Sequence, residues 1–245
     1  MQVLVGLGNP GRQYEGHRHN VGFMALDLIA ARYHAPKWKE RANALVSECR
    51  IGGAKVVLVK PQSFMNRSGQ PLRHVLDFWK LKADAVTVFY DELDLQPAKM
   101  RIKRGGGSGG HNGIKSLDAH IGQNYRRVRI GIGHPGHKDR VAGYVLHDFG
   151  REERARLDTL LASMADNLQR LLDGDETGFM SLSMQAMVPD RNSSPPQGAR
   201  GGSPEPKTRP APPPPATIGK GPPTALGAAL SRLLNRNADK KTDKD

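Results

Sequence analysis

The chain has 245 residues, and its 37 Lys and Arg against 24 Asp and Glu give a formal net charge of +13. No apolar run approaches the roughly 20 residues that a membrane-spanning helix needs, and the first residues lack the basic start of a signal peptide. The single cysteine, Cys49, excludes an internal disulfide and a cysteine-rich metal site. We therefore expect a basic protein of the reducing cytoplasm.

Composition changes sharply near residue 189, because twelve of the 18 prolines lie at or beyond that position. This pattern predicts a folded domain over residues 1–188, a disordered Pro/Gly-rich linker over 189–223, and a basic tail over 224–245 with weak helical spacing. The tail and linker carry a net charge of +5, and the predicted domain carries +8. Positive charge in both regions fits a nucleic acid partner, although a role in solubility alone explains it equally well.

Apolar runs and helical spacing alternate along the predicted domain. The predicted strands cover residues 2–5, 44–50, 55–60, 85–90, 100–103 and 127–132. The predicted helices cover residues 20–33, 69–81, 111–121 and 152–172. Gly52-Gly53 indicates a two-residue hairpin, and the alternation of charged and apolar residues in 127–132 indicates a half-exposed strand. The pattern predicts an α/β fold, a single compact domain with a twisted mixed β-sheet flanked by helices.

The glycines from Gly6 to Gly11 match the spacing of a dinucleotide-binding loop, but the context differs. That motif needs a helix to begin at its third glycine, so that the helix N-terminus meets a pyrophosphate. Here a loop of about eight residues containing Pro10 precedes the helix, and no acidic residue ends a strand at the expected distance of about 20 residues. A dinucleotide-dependent oxidoreductase remains a weak alternative.

Polar side chains follow several predicted strands and lie in the loops beside them: Asn9, His19, Asn66, Asp91 and the pair His111-Asn112. Taken singly, each is explained by helix capping, a turn or a surface position. Because loops at the carboxyl ends of parallel strands converge, we expect the group to share one crevice. The combination favours a functional site.

Five segments of the chain resemble the bacterial peptidyl-tRNA hydrolase family. They are VGLGNPGRQYEGHRHNVGF (5–23), KPQSFMNRSG (60–69), DELDL (91–95), GGGSGGHNGIKS (105–116) and RIGIGHP (129–135). The resemblance covers about residues 1–187 and departs from the family pattern at His17 and Ser63. It implies hydrolysis of the ester that joins a peptide to tRNA, and it says nothing of the residues after 189.

The resemblance also implies roles for individual residues. His19 is the implied general base for an attacking water, because an imidazole titrates near neutrality, and Asp91 orients its ring. The residues implied to bind the peptide and its ester are Asn9, Tyr14, Met65, Asn66 and Asn112. The residues implied to bind tRNA phosphates are Lys103 and Arg129. Neither a metal nor another cofactor is expected, since a positioned water and a base suffice for an ester.

The expected partner is the acceptor stem and 3′ end of peptidyl-tRNA, and a ribosome or other RNA is a candidate partner for the basic tail. A monomer is expected. The main alternative is a non-catalytic RNA-binding member of the same fold, which would lack the base or its acidic partner. The presence of His19, Asp91 and three asparagines argues against that alternative.

Overall fold

The computed structural model describes residues 1–185, which form one seven-stranded sheet with helices on both faces. The strands are β1 (Gln2–Gly6), β2 (Lys39–Arg41), β3 (Ala44–Ile51), β4 (Ala54–Pro61), β5 (Val86–Glu92), β6 (Met100–Arg104) and β7 (Arg126–Gly131). The helices are α1 (Val21–Arg32), α2 (Gly69–Trp79), α3 (Asn112–Ile121), α4 (Val141–Val145), α5 (Arg151–Asp166), α6 (Leu168–Leu172) and α7 (Glu176–Gln185). The predicted linker (189–223) and tail (224–245), and the boundary at 188, lie outside the described residues.

The sheet has the strand order β2-β3-β4-β1-β5-β7-β6. The central pairs β4–β1, β1–β5 and β5–β7 are parallel, whereas β2–β3, β3–β4 and β6–β7 are antiparallel. The predicted mixed sheet and the hairpin at Gly52-Gly53 are therefore confirmed, and Gly52 takes the positive φ of 57° that this turn requires. The carboxyl ends of β1, β4 and β5 lie side by side, as the sequence predicts.

Side chains alternate between the two faces of the central strands, and each face has its own apolar core. On one face, Leu4 of β1 packs with residues of α1, α5, α6 and α7. On the other, Val3 and Val5 pack with residues of α2 and α3. Within residues 1–185, none of the helices is both long enough and apolar enough to cross a membrane.

Two predicted elements need correction. The single helix predicted over 152–172 is two helices, because Asn167 leaves the helical conformation and donates its side-chain amide to the Ser163 carbonyl. The strand over 127–132, expected to be half exposed, is buried at every position except the partly exposed Arg129. Its arginines are ion-paired: Arg127 is fully buried against Asp118 at 2.8 Å. Three elements, β2, α4 and α7, were not predicted.

Close packing of α1 on the sheet brings the start of this helix to the ends of β1 and β5. A Cβ on Gly6 would lie 2.3 Å from the Gly22 carbonyl oxygen, and a Cβ on Gly22 would lie 2.3 Å from that of Phe89. Glycine is thus required at both positions. The chain before α1 includes only 3₁₀ turns, at Arg12–Tyr14 and Arg18–Asn20, so the first α-helix begins at Val21, well after Gly11. This geometry removes the basis of the dinucleotide reading.

Candidate active site

His19 lies in the 3₁₀ turn that precedes α1, and its neighbour Asn20 fixes this turn to the loop after β1. The Asn20 amide donates to the Asn9 carbonyl and accepts from the Asn9 backbone N–H, both at 2.9 Å. Asn20 is only 1% exposed, so water does not compete for these bonds. The two loops are thereby held together, and the His19 ring faces the end of β5.

Asp91 is the penultimate residue of β5 and the centre of a hydrogen-bonded group. It lies inside the strand, one residue beyond the strand end that the sequence predicts. His19 Nδ1 lies 2.9 Å from both carboxylate oxygens, and His111 Nε2 lies 2.9 Å from Oδ1. The Asp91 side chain is 2% exposed. We call His19, Asp91 and His111 the buried triad.

The proton on His111 can be assigned from its contacts. Its Nδ1 accepts the backbone N–H groups of Gly113 at 3.1 Å and Ile114 at 3.2 Å, and so caps α3. An imidazole nitrogen that accepts hydrogen bonds carries no proton. The proton therefore lies on Nε2, and a neutral His111 donates it to Asp91.

Burial and the carboxylate act against each other on His19. Burial lowers the pKa of the His19 imidazole, but the charge of Asp91 and the hydrogen bond to it raise this pKa more, so it lies above its ordinary value of 6.5. Burial raises the pKa of the Asp91 carboxyl, but the facing imidazoles outweigh burial and hold it well below its usual range. Asp91 is therefore an anion that holds the His19 Nδ1–H, which leaves Nε2 as the basic nitrogen.

The triad lies at the wall of a cleft of about 460 Å³. The loop from Ser108 to Asn112 lines one side of this cleft, and Lys138 with residues of α4 (Val141, Ala142 and Val145) lines another. His19 Nε2 has no hydrogen-bond partner among residues 1–185. The cleft can therefore bring a water or a substrate group to the basic nitrogen.

The structure also places the residues implied to bind the peptide. Asn9 and Met65 are buried and adjacent, because Asn9 Oδ1 accepts the Met65 backbone N–H at 2.8 Å. This bond fixes the orientation of the Asn9 amide and leaves its Nδ2 without a partner among the described residues. Tyr14 is half-buried, with its ring 6.3 Å from that of the exposed Phe64.

Asn66 and Asn112 are both exposed and lie together rather than beside Asn9. They line a groove of about 400 Å³ along α3, with Lys115 and His120 further along it. Asn112 also lines the cleft that contains His19, so the groove and the cleft adjoin at this residue. The three predicted amides therefore do not share one cavity: Asn112 lines the His19 cleft, Asn66 lies in the adjoining groove, and the buried Asn9 lines a separate cavity of about 260 Å³ beside Asn20.

The buried triad is also the group that could hold a metal ion in the described part of the chain, since its ligand atoms lie within 4.8 Å of one another. A metal would have to displace the protons that both imidazoles donate to Asp91. The hydrogen bonds already account for the close approach of these three side chains.

Comparison with known proteins assigns the chain to a family. The family model for peptidyl-tRNA hydrolase matches residues 3–191. A peptidyl-tRNA hydrolase of Chelativorans sp. (strain BNC1) is 58% identical over 193 residues, covering 78% of this chain and 81% of that protein. The chain belongs to the peptidyl-tRNA hydrolase family.

Further matches extend the likeness to the tail and to the fold. The peptidyl-tRNA hydrolase of Paracoccus denitrificans (strain Pd 1222) is 47% identical over 238 residues, or 96% of this chain and 99% of that protein. The crystal structure of peptidyl-tRNA hydrolase from Acinetobacter baumannii matches with a TM-score of 0.71 at 37% identity, over 75% of this chain and 94% of that one. The fold is therefore that of a solved peptidyl-tRNA hydrolase.

In this member of the peptidyl-tRNA hydrolase family, the two residues predicted to bind phosphate lie on the antiparallel pair β6–β7. Lys103 is exposed and pairs in register with the buried Arg127. Arg129 is 23% exposed and donates to Glu92 at 2.8 Å, so its charge is partly compensated. We call Lys103 and Arg129 with Glu92 the charged edge.

The sequence does not predict the contacts that His111 and Asn20 make in the structure. Taken alone, His111 is predicted to be a surface imidazole, but in the structure its Nδ1 caps α3 and its Nε2 completes the triad. The residue type before a helix start signals only the cap. The hydrogen bonds of Asn20 join the turn before α1 to the loop after β1, and no local pattern predicts them.

Proposed function

We propose that this chain hydrolyses the ester bond between the peptide and the 3′-terminal ribose of peptidyl-tRNA, and so returns the tRNA for reuse. Membership of the family supports an ester hydrolase acting on this substrate. The observation that carries the mechanism is that Asp91 holds the His19 Nδ1–H in an open cleft, so that the basic Nε2 faces the space where a water would lie.

In the proposed reaction, His19 Nε2 takes a proton from a water molecule as its oxygen attacks the ester carbonyl carbon. A tetrahedral intermediate forms, with negative charge on the former carbonyl oxygen. The ester C–O bond then breaks, and the His19 imidazolium returns its proton to the departing ribose oxygen. The products are a free peptide acid and a tRNA with a free ribose hydroxyl, and Asp91 stabilises the imidazolium meanwhile.

Asn9 is proposed to offer a fixed donor to the peptide or its ester carbonyl, since its bonds with Asn20 tie its loop to the turn that carries His19. Its Oδ1 is occupied by the Met65 backbone N–H, so the group it can offer is the Nδ2 donor. A rigid neutral donor suits a carbonyl oxygen that gains charge, and loss of one such donor typically costs about 10²–10³ in rate. Asn66 and Asn112, being exposed in the adjoining groove, are proposed to hold the peptide chain, with Met65 and Tyr14 as apolar walls.

Binding of tRNA is proposed to use the charged edge. Phosphate contacts from Lys103 and Arg129 carry no base information, which suits an enzyme that acts on many tRNAs. The net +5 of residues 189–245 is proposed to add a diffuse attraction to RNA or ribosomes. The enzyme is proposed to act as a monomer in the cytoplasm.

The deciding experiment compares two substrates with the full-length chain. N-acetyl-aminoacyl-tRNA should be hydrolysed, and aminoacyl-tRNA with a free amino group should be largely spared. A His19→Asn variant serves as the matched control for contaminating esterases. Binding of tRNA without hydrolysis of either substrate would instead support the RNA-binding alternative, which the intact triad does not favour.

A further inference from the structure

One wall of the cleft is weakly anchored by apolar contacts. Helix α4 has five residues, of which only Val145 is buried, and the segment from Leu146 to Asp148 after it is exposed. Yet Val141, Ala142 and Val145 line the cleft that contains His19. Such a short, exposed helix needs another restraint to keep its place.

That restraint comes from Arg18, the residue before His19. Its side chain is 10% exposed, and Nη1 donates to the carbonyl oxygens of Asp148 at 2.8 Å and His147 at 3.3 Å. Nη2 donates to Glu153 at 2.6 Å, and the guanidinium carbon lies 4.2 Å from the centre of the Tyr144 ring. One guanidinium thus contacts the end of α4, the segment after it and the first turn of α5.

The backbone strengthens the same connection. The Arg18 N–H donates to the His147 carbonyl at 3.0 Å, and His17 pairs with Asp148 as an isolated antiparallel bridge. Glu153 also accepts the Gly150 N–H at 2.9 Å, so its carboxylate joins Arg18 to the start of α5. Because the donors are planar and charged, they suit this set of carbonyl and carboxylate oxygens better than a lysine ammonium would.

We propose that Arg18 is a positioning residue that fastens the α4 wall of the cleft to the turn that carries His19. The inference rests on the proposed function, because it assigns this wall to substrate binding. Arg18 touches no reacting atom in this view. It fixes the width of the cleft across from the base, so its loss should weaken substrate binding while His19 keeps its bond to Asp91.

The chain provides a matched control far from α4. Arg126 on β7 is also 10% exposed on its side chain, donates to the Leu171 carbonyl at 2.9 Å, and pairs with Glu176 at 2.7 Å. The exposed fractions of the two acidic partners, 33% for Glu153 and 34% for Glu176, are nearly equal. Arg126 therefore matches Arg18 in burial and in pairing with one carboxylate, but it donates to a single carbonyl and anchors α6 and α7 instead of the cleft wall.

The test compares Arg18→Met with Arg126→Met in the full-length chain. Methionine keeps much of the apolar stem and removes the charged donors. For Arg18→Met we expect KM for N-acetyl-aminoacyl-tRNA to rise about 5- to 50-fold, with kcat per folded enzyme within about threefold of wild type. Arg126→Met should lower Tm by a similar amount and leave KM unchanged, and Arg18→Lys should recover part of the lost affinity.

Hydrogen exchange gives a second readout that does not depend on activity. Amides of residues 141–149 should exchange faster in Arg18→Met than in Arg126→Met at equal loss of Tm. Equal KM and equal exchange in the two variants would reduce Arg18 to a general stabilising residue and overturn the proposal. A fall in kcat with unchanged KM and unchanged exchange would also overturn it, by placing the effect on His19 instead.

Two further cases have their own tests: a variant that does not fold, and a wild-type chain without hydrolase activity. Should Arg18→Met fail to fold, Glu153→Gln replaces it, with an intermediate rise in KM and faster exchange at 141–149 expected, and wild-type values counting against the proposal. Should the wild-type chain hydrolyse no peptidyl-tRNA, the proposed function fails, whereas the exchange measurement still decides whether Arg18 holds the α4 segment.

Discussion

The buried triad and the charged edge use polar side chains in opposite ways. Every side chain of the triad is at most 11% exposed, and each is held by hydrogen bonds that fix its orientation. On the charged edge, Lys103 is exposed, and Arg129 is restrained by one carboxylate. Proton transfer depends on distances of a few tenths of an ångström, whereas attraction to a phosphate acts over several ångströms. Changes in the triad should therefore alter turnover, and changes on the edge should alter affinity.

Removal of the base His19 is the strongest test of these separate roles for the triad and the charged edge. We expect His19→Asn to lower kcat by about 10²–10⁴, the usual contribution of a general base, with tRNA affinity unchanged. Turnover of N-acetyl-aminoacyl-tRNA and binding of deacylated tRNA measure the two quantities separately. A variant that binds tRNA poorly but turns over normally would reverse the roles assigned to the two regions.

Asp91→Asn should have the next largest effect and should also move the pH dependence. His19 acts as a base only when neutral, so kcat/KM rises with pH through the His19 pKa, which Asp91 holds above 6.5. Without the carboxylate, burial dominates and lowers that pKa. The acidic limb of the pH profile should thus move to lower pH while kcat falls, because an amide no longer favours the Nδ1–H tautomer or stabilises the imidazolium. If the acidic limb does not move in Asp91→Asn, then Asp91 does not set the pKa of His19.

His111→Asn sharpens the comparison inside the triad, because it separates the two functions of His111. Asparagine is a good helix N-cap, so α3 keeps its cap, but its shorter side chain does not reach Asp91. With one donor fewer, the Asp91 charge acts more fully on His19 and raises its pKa. The acidic limb should shift to higher pH, opposite to Asp91→Asn, with a loss in kcat of about 3- to 10-fold. A shift in the same direction as Asp91→Asn would disprove the donor role of His111.

The sequence predicts those features of the fold that depend on residues close together in the chain, and it fails for those that depend on distant residues. The hairpin at Gly52-Gly53 and the helical spacing of α5 depend on neighbours within a few residues, and the sequence predicts both. The burial of Arg127 is not predicted, since it depends on Asp118 in another element. A strand of alternating charge reads as half exposed unless the acidic partner is known.

The candidate site likewise has features that the sequence predicts and features that depend on distant contacts. The meeting of His19 with Asp91 follows from parallel strands with aligned carboxyl ends, which the alternation of elements predicts, whereas Asn9 lines a different cavity. The separation of Asn66 from Asn9 depends on how α3 packs beside the 3₁₀ turn at Met65–Arg67, which no periodicity encodes. Helix α4 escaped prediction because five residues are too few to show helical periodicity.

The smallest expected effects lie on the charged edge, where Glu92 distinguishes the two cations. Lys103→Gln removes an exposed charge, so it should weaken binding of every tRNA by about the same few-fold factor and reduce the slope of log K against log salt by about 0.7–0.9. Arg129→Gln should weaken tRNA binding more than Lys103→Gln does, because it also leaves the negative charge of Glu92 uncompensated beside the phosphates. Glu92→Gln should strengthen tRNA binding, because it removes a negative charge that repels the phosphates. Binding of two unrelated deacylated tRNAs, measured by fluorescence anisotropy over a salt series in the His19→Asn background, tests all three. Losses that differ between the two tRNAs would indicate contacts with bases, and an unchanged salt slope in Lys103→Gln would remove this residue from the phosphate-binding surface.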